Sequence, residues 1–201
     1  MTPEQQQLAE EFVQPFYAKP HRAYHNWDHI AYVLAQLAPA LVSAPDEQAQ
    51  NRVDELHLAA LFHDVIYDPL ASNNEEESAE LFLGFYQAHE AQYPGIGASR
   101  VRELILATKE HLFRPTDGQR NALLKADLAI LVAPVEQFAR YEQQIATEYA
   151  FVPRPVYRIE RAKVLNQLAA YLTKSKKYFT KAELTQLKQN VDQTLADLQA
   201  G

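Results

Sequence analysis

The sequence has no cysteine, five glycines, one methionine and one tryptophan. Without cysteine, disulfides, thiolate metal sites and cysteine nucleophiles are excluded. The few glycines are scattered and no G-x-x-x-x-G-K-[ST] run occurs, which excludes a phosphate-cradling glycine loop. No apolar run approaches the roughly 20 residues that a membrane span needs. The opening Met1-Thr-Pro-Glu4 has neither a basic nor an apolar signal region, so no secretory leader is expected. Positive charge is scarce too. The formal net charge of −7 argues against non-specific nucleic-acid binding, which relies on cations. The most basic patch, Lys174-Ser-Lys-Lys-Tyr-Phe-Thr-Lys181, suits a solvated loop. These absences predict a soluble, cytoplasmic protein with no membrane and no nucleic-acid partner.

Apolar residues make up 47% of the chain, enough for a packed core, and the length fits one domain. Prolines cluster between segments of helical periodicity. Helices are predicted over 3 to about 18, from Asn26 towards Val42, from Pro45-Asp46 to near Tyr67, and from 74 to about Gln92. Further helices are expected from near Ser99 to His111, from 118 to about 132, from Pro134 to Tyr149, from Val156 to about Thr173, and from 181 to about Leu198. Ser72-Asn73-Asn74 followed by three glutamates is a helix-start signal, and Thr180-Lys-Ala-Glu183 is a capping box. Ala129-Ile-Leu-Val132 is short enough for a strand, but a helix suits it better. The expected fold class is all-α, a single-domain helical bundle over 1–201. Residues 136–201 would cover the earlier helices or form a homodimer.

Three stretches carry the chemistry. In Leu58-Ala-Ala-Leu-Phe-His63-Asp64-Val-Ile-Tyr67 an imidazole and an acid sit inside an apolar run without Lys or Arg. Burying even a polar group unpaired costs about 2–7 kcal/mol, so this carboxylate calls for a paired charge or a metal. His25-Asn-Trp-Asp-His29 places two histidines at i and i+4 on one helix face. A zinc-peptidase reading fails, because Asn26 stands where a general-base Glu is needed. A helix cap plus a core histidine would also account for the pair. Asp127 follows Leu123 and Leu124 by four and three residues and precedes Leu131 by four, which puts it on a buried stripe. Capping a neighbouring helix or pairing with a distant Arg would also explain it. Together His29, His63, Asp64 and Asp127 form a mixed nitrogen and oxygen set suited to one divalent ion: Mn, Fe, Ni, Co, Zn or Mg.

The order His29, His63-Asp64, Asp127 resembles the HD-domain superfamily of metal-dependent phosphohydrolases, and most of all its small bacterial branch of predicted HD hydrolases. The words around these residues carry the resemblance as well: Arg22-Ala-Tyr-His-Asn-Trp-Asp-His29, Phe62-His-Asp-Val-Ile-Tyr67, Asn74-Glu-Glu-Glu-Ser-Ala79 and Lys125-Ala-Asp127. It spans roughly residues 20–135. It implies a single metal held by His29, His63, Asp64 and Asp127, with a small-molecule phosphate ester or nucleotide as substrate. Binuclear members use additional histidines, for which His25, His57 and His111 are available here. A two-iron oxygenase and a non-catalytic, metal-dependent nucleotide sensor are the alternative functions.

Other residues surround this set. Glu75, counted back by seven from Phe82, is the first candidate for general acid or base, although a first-turn Glu also stabilises a helix by charge alone. Asp68 is the second, with turn formation as its other explanation. Arg22, His25, Lys109 and His111 are candidates for binding substrate or orienting ligands. His57 reads as a core or outer-layer histidine.

Overall fold

The computed structural model describes residues 1–42 and 45–200. Among them every regular element is helical and there is no strand. The α-helices are α1 (Pro3–Tyr17), α2 (Trp27–Leu37), α3 (Glu47–Phe62), α4 (Asn74–His89), α5 (Ala98–Glu110), α6 (Gly118–Asp127), α7 (Val135–Glu148), α8 (Arg154–Lys174) and α9 (Lys181–Ala200). The all-α expectation holds. The chain divides after Asp127 into two units, Met1–Asp127 and Leu128–Gly201.

Starts follow local chemistry. Thr2 and Gln5 exchange reciprocal bonds as a capping box on α1, and Thr180 and Glu183 do the same on α9. Asn26 caps α2, its Oδ1 accepting from the amides of Asp28 (2.8 Å) and His29 (3.4 Å). Asp46 caps α3 and Asp117 caps α6. The α4 start departs from the local rule. Asn73 caps without a side-chain bond, while the Asn74 amide reaches back to both backbone groups of Asp68.

In the first unit α3 is central, packed against α1, α2, α4, α5 and α6. Ala59, Ala60, Leu61 and Phe62 are fully buried on it. Phe62 anchors an aromatic cluster with Phe12, Phe82 and Phe85, with ring centroids 5.2–5.9 Å apart. In the second unit α8 and α7 pack on α9, and a 3₁₀ segment Leu128–Val132 lies against α7 and α9. There Asn190 donates to the carbonyls of Leu131 (3.0 Å) and Ala133 (2.8 Å). Residues 128–132 therefore take 3₁₀ form rather than continuing α6.

The main correction concerns α3, which ends at Phe62 and not near Tyr67, so His63 is its C-cap and Asp64 lies in the following turn. A helix end leaves carbonyls to satisfy, and here side chains from distant positions supply donors. Tyr17 Oη donates to Leu61 O (2.8 Å), and Arg22 donates to the carbonyls of Asp64 (2.7 Å) and Val65 (2.8 Å). Ser78 Oγ donates to Ile66 O (3.3 Å) and accepts from the Ile66 amide (3.0 Å). An apolar stretch that looks helical locally is unwound by partners 12 to 44 residues away.

Candidate metal centre

The three stretches meet in the first unit. His29 sits in the first turn of α2, His63 and Asp64 at the end of α3, and Asp127 at the end of α6. His29 Nε2 and His63 Nε2 lie 3.2 Å apart, and Asp64 Oδ2 is 3.3 Å from each. Asp127 Oδ1 stands 3.6 Å from both imidazole nitrogens. His29, His63 and Asp64 thus form a group of ligand atoms that can hold a metal ion. Donors about 2.1 Å from a common ion are separated by roughly 3.0–3.4 Å at right or tetrahedral angles, close to these distances.

Hydrogen bonding explains why the cluster favours a cation. His63 Nδ1 lies 2.9 Å from Ala60 O, so this nitrogen carries the proton and donates. His29 Nδ1 is 3.1 Å from Tyr24 Oη, which can accept from it. In the neutral rings both Nε2 atoms then turn bare lone pairs towards two carboxylate oxygens. Four acceptors with no donor among them repel unless a proton or a metal ion sits between. Burial draws the His29 imidazole below its ordinary value. Burial pushes His63 the same way, but the Asp64 and Asp127 charges overcome it and carry His63 up to about 9. Burial acts against the charged carboxylates as well, yet the facing histidines hold Asp64 and Asp127 below the usual carboxylate range.

Around this cluster, His111 Nε2 lies 3.0 Å from Asp127 Oδ2, orienting the carboxylate whose other oxygen faces the imidazoles. His111 is the left-handed C-cap of α5 (φ 54°), an uncommon conformation for a residue with a side chain. His25 stacks on Tyr67, with centroids 4.0 Å apart, and its ring meets His29 edge-on. Arg22 is buried, and besides the two turn carbonyls its Nη1 reaches His25 O (2.9 Å). The structure thus places Arg22 as a brace for the His63-Asp64 turn. Lys109 donates to Ser72 O (2.7 Å) and pairs with Glu76. Asp68 Oδ1 accepts from the Leu70 amide (2.9 Å), the turn-forming arrangement. The Glu77 carboxylate accepts from Asn73 (3.1 Å). Glu75 differs, since its carboxylate has no bonded partner among the described residues. It lies three, four and seven residues before buried Ser78, Ala79 and Phe82, so it shares their inward face. His57 lies outside the cluster. Burial lowers its pKa, and Glu10 and Asp54 are the acids near it.

Tyr24 and Tyr17 were not singled out from the sequence, and nothing local marks them. Tyr24 precedes His25 in a loop, and only the fold turns its hydroxyl to His29. Comparisons with protein-family models, with curated proteins and with solved structures give no match for this chain.

Proposed function

We propose that the protein is a metal-dependent phosphohydrolase of the HD-domain type, acting on a small phosphate ester or nucleotide with one divalent ion. The convergence of His29 Nε2, His63 Nε2 and Asp64 Oδ2 within 3.3 Å, with Asp127 beside them, carries this reading. These four residues would hold a divalent ion, which would supply an acidified water and a Lewis acid for a phosphoryl oxygen. The remaining work falls to the chain. Ala60 O fixes the tautomer of His63, Tyr24 orients the His29 ring, and His111 orients Asp127. Arg22 holds the turn that presents Asp64. Glu75, the acid of its segment with no bonded partner among the described residues, is our candidate for exchanging protons with water and leaving group; Asp68 is the alternative.

The test is a phosphatase screen over phosphomonoesters and nucleotides with Mn, Co, Ni, Mg, Zn and Fe, alongside metal analysis of the purified protein. We expect about one ion per chain and metal-dependent phosphate release. Asp64→Ala should lose both, and Glu75→Gln should keep the metal while losing turnover. A fully active Asp64→Ala protein, or a native protein that binds none of these metals, would sink the reading. Two irons per chain with dioxygen-dependent turnover would favour the oxygenase instead.

A further inference from the structure

Away from the histidine cluster, the first halves of α3, α5 and α6 border an open groove of about 820 Å³ within the first unit. Val53, Leu56 and Ala122 give it an apolar wall, and Arg52, Arg100 and Arg114 line it too. Arg100 is engaged, with its guanidinium on Asp117, Gln119 (3.0 Å) and Glu103 (3.3 Å). Glu55, next to Leu56 in sequence, has its oxygens on Gly97 N (2.9 Å) and Gln119 Nε2 (3.1 Å). Arg52 and Arg114 have no side-chain hydrogen bond or acidic partner among the described residues. Both are exposed to solvent at the groove, and on a chain of net charge −7 they give it a cationic side that suits an anion.

The backbone contributes as well. Asp117 occupies the amides of Arg120 (3.0 Å) and Asn121 (3.0 Å), but those of Gly118 and Gln119 at the start of α6 have no acceptor among the described residues. Nothing lies within 4 Å of where a Cβ on Gly118 would stand, so this helix start is open. Arginine forks and free first-turn amides are a phosphate-binding combination. The volume matches that of small-molecule sites, and the apolar wall would cover the non-ionic part of a ligand. We propose that this groove binds an organic polyphosphate with a flat apolar body, as in a nucleoside polyphosphate. The phosphates would lie against Arg52, Arg114 and the α6 amides, and the ring against Val53, Leu56 and Ala122.

This is a second site. Arg52 precedes His63 by eleven residues and Gly118 precedes Asp127 by nine, roughly 16 Å and 13 Å of helix. Binding there needs none of the four histidine-cluster residues, so it stands or falls apart from the proposed hydrolysis. The experiment is isothermal titration of the metal-free protein, in chelator, with ATP and with inorganic triphosphate. ATP should bind, at least tenfold more tightly than triphosphate. The double variant Arg52→Ala/Arg114→Ala should weaken ATP at least tenfold with an unchanged melting curve, and Asp64→Ala should leave ATP affinity unchanged. Cross-linking with 8-azido-ATP should label peptides within 45–56 or 114–122, which keeps the test open if a variant folds poorly. Absence of ATP binding, equal affinity for triphosphate, binding that survives the double variant, or labelling confined to other peptides would each overturn the proposal.

Discussion

Replacing Arg22 by Met tests whether the His63-Asp64 turn is held from outside. Arg22 is 4% exposed, and its guanidinium donates to His25 O, Asp64 O and Val65 O at 2.7–2.9 Å. It also lies over the Tyr17 and Tyr67 rings, 5.0 and 5.7 Å from their centroids. Hydrogen bonds from a charged donor contribute about 1.5–3 kcal/mol each. Their sum is an upper bound, because the guanidinium also pays desolvation and water can reach some of the freed carbonyls. Methionine keeps the packing volume but leaves those carbonyls without donors, and we expect a loss of about 3–5 kcal/mol. For a chain of this size that corresponds to roughly 6–20 °C in Tm. Lysine at the same position should fall between, since one ammonium cannot span three carbonyls in a fork. The assays are thermal melting by circular dichroism and metal titration of the same samples. Metal affinity should fall together with stability, because two of the three carbonyls belong to the turn that carries Asp64. An Arg22→Met protein with native Tm and native metal affinity would refute the bracing role.

Tyr24→Phe removes the hydroxyl on His29 Nδ1, and metal affinity should drop about tenfold with little change in Tm. At His111 the backbone and side chain separate: His111→Gly should be about 1 kcal/mol more stable than His111→Ala at φ 54°, while both lose the bond to Asp127 and bind metal more weakly. The pH response follows from His63. Its folded value of about 9 lies above the ordinary 6.5, so in metal-free protein its stabilising contribution is full below about pH 6.5 and is lost as pH rises through about 9. The urea midpoint of the metal-free protein should therefore fall between pH 7 and 9.5. At pH 7, metal binding should release about one proton, seen as a buffer-dependent binding enthalpy. A flat midpoint and no proton release would contradict a protonated His63.

Helix content was legible wherever the determinants were local. The capping pairs Thr2-Gln5 and Thr180-Glu183, the Asp46 cap and the proline breaks all act within a few residues. Legibility failed at the end of α3, where apolar periodicity runs on through Val65 and Ile66 but the backbone leaves the helix at Phe62. The donors that make this possible, Tyr17, Arg22 and Ser78, are remote in sequence. The four proposed ligands could be picked out because a buried acid or paired histidines in an apolar setting is costly. Their supports could not. An arginine before a loop reads as a surface or substrate cation until the fold shows carbonyls around it. Asp68 was a candidate for standing just past the His63-Asp64 pair and Lys109 as a cation for phosphate; the structure ties Asp68 to the Leu70 amide and Lys109 to Ser72 and to Glu76 at the start of α4.

Asp64→Asn separates a metal site from a structural ion pair. In metal-free protein above about pH 9, His63 has lost its extra proton and two half-buried carboxylates face two bare imidazole nitrogens. Asparagine has nearly the same shape, carries no charge, and brings an NH₂ that can donate to either nitrogen across the 3.3 Å separation. Relief of the repulsion between two half-buried charges plus one new hydrogen bond should stabilise this state by about 1 kcal/mol. With metal the order must reverse. The native protein gains the binding free energy of the ion, whereas Asp64→Asn has exchanged an anionic ligand for a neutral one. Chemical denaturation at pH 9.5, in chelator and then with saturating metal, should therefore show the variant above the native protein in the first case and below it in the second. A variant less stable under both conditions would mean that Asp64 is there for the fold, and the acid would then need no ion.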